Sequence, residues 1–162
     1  MKKLLNVIVS LVVLVAVMAF LAPNDYTVER SVSINASKEA VYANISTFAA
    51  MDKWSPWNAK DPDMKKWMEG NPDGEVGAIS KWEGDPESVG TGEQEFTEIN
   101  ANESVKMALR FKVPWESESD AWVKLSEGEE GATVATWGLS GSMPFPMDIM
   151  MMFGMMDMDA AV

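Results

Sequence analysis

The sequence predicts an α+β domain: a seven-stranded antiparallel sheet, one short helix after the first strand and a second helix at the carboxy terminus, all preceded by a transmembrane helix. Three observations predict it. Seven segments are rich in apolar residues at period two and are separated by turn chemistry, and the segment after Ser37 places apolar residues at helical spacing. Leu4 to Ala22 is an unbroken run of 19 uncharged residues in which only Asn6 and Ser10 are polar.

That apolar run, as a helix, would span roughly 28 Å, close to the hydrocarbon thickness of a bilayer. Lys2 and Lys3 precede it, and Pro23, Asn24 and Asp25 follow, so the positive-inside rule places residues 1–3 in the cytoplasm and the domain of residues 23–162 outside it. A cleavable signal peptide is the competing reading. Val17-Met18-Ala19 is a tolerable cleavage sequence, but cutting there would leave Phe20, Leu21 and Ala22 exposed. Both readings place the domain in the same compartment.

The first strand covers Tyr26 to Ile34, with Tyr26, Val28, Val32 and Ile34 on one side and Thr27, Glu29, Ser31 and Ser33 on the other. Ser37 then caps a helix expected to continue to about Ala50, with Val41, Ile45 and Phe48 on one stripe. An aromatic stretch, Trp54-Ser55-Pro56-Trp57, and a turn at Asp61-Pro62-Asp63 follow. Strands are then expected at Met64–Glu69, Ala78–Trp82, Gly90–Ile99, Ser104–Lys112, Glu116–Ser126 and Thr133–Ser140, a meander of hairpins. The dry face carries Val105, Met107, Leu109 and Phe111, together with Ala121, Val123 and Leu125 and with Ala135, Trp137 and Leu139. Trp122 falls on the wet face, and Trp115, beside Pro114, in a turn. One helix of about three turns cannot cover such a sheet. The second cover is the segment after Pro144-Phe145-Pro146, where Met147 to Met158 holds seven methionines in twelve positions.

Composition removes whole classes of chemistry. The 162 residues contain no cysteine and no histidine, which excludes disulfides, thiol nucleophiles, imidazole bases and the usual zinc sites. A formal charge of −12 repels nucleic acid. With Lys2 and Lys3 set aside, 11 basic groups face 25 acidic ones, a net of −14, so an anionic membrane surface should not attract the domain either. No glycine-rich phosphate loop, hydrolase serine motif or calcium loop is present, and Asp148, Asp157 and Asp159 have no identifiable partner, so no catalytic residue and no cofactor are assigned. Asp61, Asp63 and Asp73 fit turns, and Glu93, Glu95 and Glu98 are expected to point to solvent. The methionine cluster could offer thioethers to Cu(I), but flexible apolar lining explains it more simply, and no metal is assigned.

The order of one strand, a helix, six antiparallel strands and a closing helix, together with four stretches, carries a resemblance. These are YTVERSVSINASKEAVYANI, KWSPWNAKDPDMK, GEVGAISKWEG and TWGLSGSMPFPMDIMMMFGMMDMD. The chain resembles the bacterial SRPBCC family of START-like helix-grip proteins, in the branch labelled polyketide cyclase/dehydrase and lipid transport. The resemblance implies a curved sheet gripping a long carboxy-terminal helix, with a hydrophobic cavity between them for lipids or other apolar small molecules. Relatives of this type continue for several turns beyond the Met-Asp-Met-Asp segment, so the closing helix is expected to be incomplete at Val162.

The expected function is membrane-anchored, extracytoplasmic binding of a hydrophobic small molecule or lipid by burial of apolar surface. The candidate ligand-contacting residues are Trp54, Trp57, Trp82, Met107, Phe111, Trp137, Met147 and Met151. Core packing is the competing role for the aromatic ones. Two alternatives remain open: an enzyme of the cyclase or dehydrase type, and an interaction module that docks an envelope protein through the sheet face.

Overall fold

A computed structural model describes residues 25–142. The expected anchor, Leu4 to Ala22, and the methionine-rich segment with Met147 and Met151 lie outside the described residues. Seven strands form one antiparallel sheet: β1 (Asp25–Ile34), β2 (Lys65–Gly70), β3 (Ala78–Glu83), β4 (Thr91–Asn100), β5 (Ser104–Val113), β6 (Ser117–Glu127) and β7 (Thr133–Ser142). Their spatial order is β1-β7-β6-β5-β4-β3-β2. β2 to β7 form a meander, and β1 closes it by pairing with the last strand, Asp25 opposite Ser142 and Ile34 opposite Thr133. Each of the strands expected from the alternation is present, with ends shifted by no more than a residue or two.

The helix expected from Ser37 to Ala50 is instead two short helices, α1 (Lys38–Tyr42) and α2 (Phe48–Met51), and a third, α3 (Pro56–Lys60), occupies the aromatic stretch. Local polar chemistry breaks the expected helix. The Asn44 side chain donates to the Ala40 carbonyl at 2.8 Å, and Thr47 takes an extended conformation and accepts from the Ala50 amide at 3.1 Å, restarting the helix as an N-cap. Asp73, expected only as a turn residue, completes the cap from 25 residues away: its two carboxylate oxygens accept from the amides of Phe48, at 2.8 Å, and Ala49, at 3.0 Å. The turn that follows Asp73 approaches Ser46 and Thr47 closely. Gly74 has φ +93°, and a Cβ there would lie 3.1 Å from a Thr47 methyl and 3.2 Å from the Ser46 carbonyl.

The break does not disturb the stripe. Val41, Ile45 and Phe48 all face the sheet and pack with Ala78, Phe96, Val105, Met107, Val123 and Leu125 as one buried cluster. Its centre is a stacked pair, Phe48 on Phe96, with ring centroids 4.1 Å apart and planes 16° apart. Val32, on the inner side of β1 as its alternation predicts, is nonetheless 58% exposed, because β1 is an edge strand.

The opposite face of the sheet is charged. Arg110 reaches Glu95 at 2.9 Å, Glu118 at 3.1 Å and Glu93 at 3.3 Å, and Glu93 also meets Lys112 at 3.0 Å and Lys81 at 3.7 Å. Glu93 therefore does not point freely into solvent as expected: it lies within a cross-strand ladder. The hydrogen bond from Lys112 holds its carboxyl below the ordinary range, and those from Lys81 and Lys106 do the same for Glu69 and Glu98. Lys81 is raised chiefly by Glu69, and Arg110 chiefly by Glu95. Trp122 also lies on this face, as expected, donating to Glu29 at 3.0 Å.

Two predictions follow from this framework. Asp73→Ala leaves two α2 amides without their acceptor and should lower stability by about 1–2 kcal/mol, whereas Phe48→Ala should cost about 3–5 kcal/mol, both read as urea-unfolding midpoints. Carboxyls that titrate lower in the folded chain than in the unfolded one stabilise fully above the unfolded value near 4.5, and that contribution is lost as pH falls through the lower folded values. The unfolding midpoint should thus be flat from about pH 8 to pH 5.5 and fall below about pH 4.5, with a shallower fall in Glu93→Gln. Raised Lys81 and Arg110 keep their charge across this window.

Candidate functional site

Strand register divides the inner face of the sheet into rows. One row runs Leu139, Ala121, Met107 and Phe96 from β7 to β4. It packs with the helices: Phe96 is completely buried, Met107 is 3% exposed, Ala121 is buried and Leu139 is half-buried. The next row crosses all seven strands: Tyr26, Gly141, Ser119, Leu109, Gln94, Ser80 and Met68. The row beyond it holds Ser117, Phe111, Gly92, Trp82 and Lys66.

Burial decreases along β5 in this direction. On β5, Val105 and Met107 are buried, whereas Leu109 and Phe111, two and four residues further on the same face, are half-buried. Among the described residues, the helices cover only the first rows. Helices α1 and α2 and the turn between them contribute Val41, Phe48 and Ile45 above the first rows, and the buried cluster they form includes neither Leu109, Phe111 nor Trp82. Among the described residues, the inner face near the Asp25 end is thus an apolar trough with a partly open top.

Sequence-predicted residues fall into separate groups around this trough. Trp82 and Phe111 meet edge to face at 5.5 Å and 80°, and the Trp82 indole donates to the Val89 carbonyl at 3.1 Å. Gly92 makes the contact possible, since a Cβ there would lie 2.5 Å from the Trp82 ring. Trp54 and Trp137 meet edge to face at 6.4 Å and 89°, with the Trp54 indole donating to the Asn44 carbonyl at 2.9 Å. This second pair is at another level, because Trp137 is in register with Val123 and Val105. Met107 is part of the floor under the helices. Trp57 joins neither pair: it is 36% exposed, with the Lys60 ammonium 4.1 Å from its ring centroid.

The middle row adds polar groups that the sequence did not single out. The Tyr26 hydroxyl and Ser119 Oγ are 2.8 Å apart. Ser80 and Ser119 are buried, and Gln94, half-buried between Leu109 and Ser80, makes no side-chain hydrogen bond among the described residues. At the β2 edge of the trough, Lys66 and Asp52 form an ion pair at 2.5 Å. Parity along β6 and β4 points to Ser119 and Gln94, but in β4 that parity is broken by a bulge between Phe96 and Glu98. This set is neutral and hydrogen-bonding, suited to orienting one polar group of a mostly apolar ligand. No group of three or more acidic side chains among the described residues is placed to hold a metal ion.

No protein-family model matches the chain, and no curated protein matches it in sequence. Solved structures do match in shape. A truncated norcoclaurine synthase from Thalictrum flavum superposes with a TM-score of 0.65 at 10% identity, over 85% of this chain and 86% of that one. The same enzyme in complex with dopamine and hydroxybenzaldehyde gives 0.63 at 10% identity, over 90% and 84%. The Aha1 dimer from Colwellia psychrerythraea gives 0.52 at 19% identity, over 80% and 86%. With its seven-stranded antiparallel sheet and few short helices, the described part of this chain has a fold of the helix-grip type.

Proposed function

We propose that this chain binds a hydrophobic small molecule or lipid on the inner face of its sheet, outside the cytoplasm and tethered by its amino-terminal apolar run. The single observation that carries the binding site is the change along β5 from buried Val105 and Met107 to half-buried Leu109 and Phe111, with polar Ser119 and Gln94 flanking Leu109 in register. Apolar parts of the ligand would lie on Leu109, Phe111 and Trp82. A carbonyl or hydroxyl group of the ligand would meet the Gln94 carboxamide or the Tyr26–Ser119 hydroxyl pair. Affinity would come from burial, roughly 25 cal/mol per Å² of apolar surface, and selectivity from the polar row. Norcoclaurine synthase, of similar fold, has been solved with two small aromatic molecules, which supports a ligand of that size as well as a lipid tail. The run Leu4 to Ala22, with lysines before it and an acid after it, supports the tether and its orientation.

Native mass spectrometry of residues Asp25 to Val162, exported and purified without detergent, tests this. The expected result is an adduct of a few hundred daltons that organic solvent removes and that Leu109→Glu abolishes while the circular dichroism spectrum is unchanged. A bare mass for the unsubstituted protein, or an adduct that survives in Leu109→Glu, would overturn it.

A further inference from the structure

The geometry points to a second contact between this protein and a membrane: the rim of the domain that carries Trp57 and Trp115 lies in the interface of a zwitterionic bilayer. This rests on the tether proposed above. Strand register fixes which end of the sheet is involved. Asp25 lies opposite Ser142, Ser119 opposite Gly141, Ser117 opposite Phe111, Phe111 opposite Gly92, and Glu83 opposite both Thr91 and Lys65. The start of β1, where the chain arrives from the apolar run, is therefore at the same end as the β3–β4 loop and the β5–β6 turn.

Three segments at that end touch in sequence. The Ser88 hydroxyl donates to the Lys60 carbonyl at 3.4 Å, and the Asp61 carboxylate accepts from the Asp85 amide at 2.8 Å, joining the end of α3 to the β3–β4 loop. Gly90, closing that loop, packs on Val113 and Pro114, next to Trp115. Trp57 and Trp115 are thus carried by the two outer segments of one continuous rim, 36% and 62% exposed. Tryptophan with free apolar surface and a polar N–H favours the boundary between headgroups and acyl chains, and the Trp115 indole N–H has no partner among the described residues. Lys60, above Trp57, can extend its ammonium into the headgroup layer.

Asp61, Asp63, Asp85, Glu87 and Glu116 lie on or beside the same segments, so the contact is aromatic rather than electrostatic and the partner is a bilayer without net charge. A hydrophobic ligand leaving such a surface would meet the trough directly, because Phe111 and Trp82 form its row nearest to this rim.

The full chain reconstituted into phosphatidylcholine vesicles containing shallow-brominated lipid tests the contact. Residues 1–24 contain no tryptophan, so bromine quenching reports only on the domain. The expected result is co-flotation with the vesicles and a loss of indole emission, a loss that falls by at least half in the Trp57→Phe, Trp115→Phe double variant and weakens when phosphatidylglycerol is added. Co-flotation with no quenching, or quenching unchanged in the double variant, would overturn the second contact and leave the tether standing. Failure to co-float would overturn both.

Discussion

An antiparallel sheet with one apolar face has to have that face covered, and among the described residues the helices cover only one end of it. Two short helices, α1 and α2, sit over the end of the sheet that holds Val105, Val123 and Leu125, and the stack of Phe48 on Phe96 locks them there. Two rows further along, the same strands carry Leu109, Phe111 and Trp82 half-buried, with Ser80, Gln94 and Ser119 interspersed. Core and candidate site are one surface in two states of coverage. Among the described residues, the boundary between them follows the placement of the helices, and the caps at Thr47 and Asp73 fix where α2 begins.

The outer face has a different part. Its ladder of Glu93, Glu95 and Glu118 around Arg110, extended by Lys81 and Lys112, satisfies charges that would otherwise repel within a strongly acidic chain. Such exposed pairs are screened by solvent and contribute little individually. An open groove of about 310 Å³ on this side is lined by Lys106, Asp120, Trp122 and Lys124, together with Thr97, Ala121 and Ser140. The proposed hydrophobic site falls on the inner face, where Leu109, Phe111 and Trp82 lie half-buried beside a row of hydroxyl and amide groups.

Most of the sheet was legible because period-two alternation is a direct consequence of burying one face. Val105, Met107, Leu109 and Phe111 could be placed together from sequence, and so could Ala135, Trp137 and Leu139. The helical region was less legible. Val41, Ile45 and Phe48 keep the spacing of a single helix, yet Asn44 and Thr47 divert the backbone locally, and the capping partner, Asp73, is remote in sequence. The polar row was hidden for a related reason: it exists only once register aligns Tyr26, Ser119, Gln94 and Ser80 across strands, and a bulge in β4 shifts the parity that would have placed Gln94. Among the aromatic residues, composition could not separate Trp82, which pairs with Phe111 at the trough, from Trp57, which stands on the rim.

The location of binding is the central claim, and the indole N–H resonances in a proton–nitrogen correlation spectrum test it most directly, because the seven tryptophans sample the inner face, the outer face and the rim. On titration with a medium-chain alcohol, the Trp82 resonance should shift progressively while that of Trp122, on the outer face, stays in place. A shift of Trp122 with Trp82 unmoved would contradict the account.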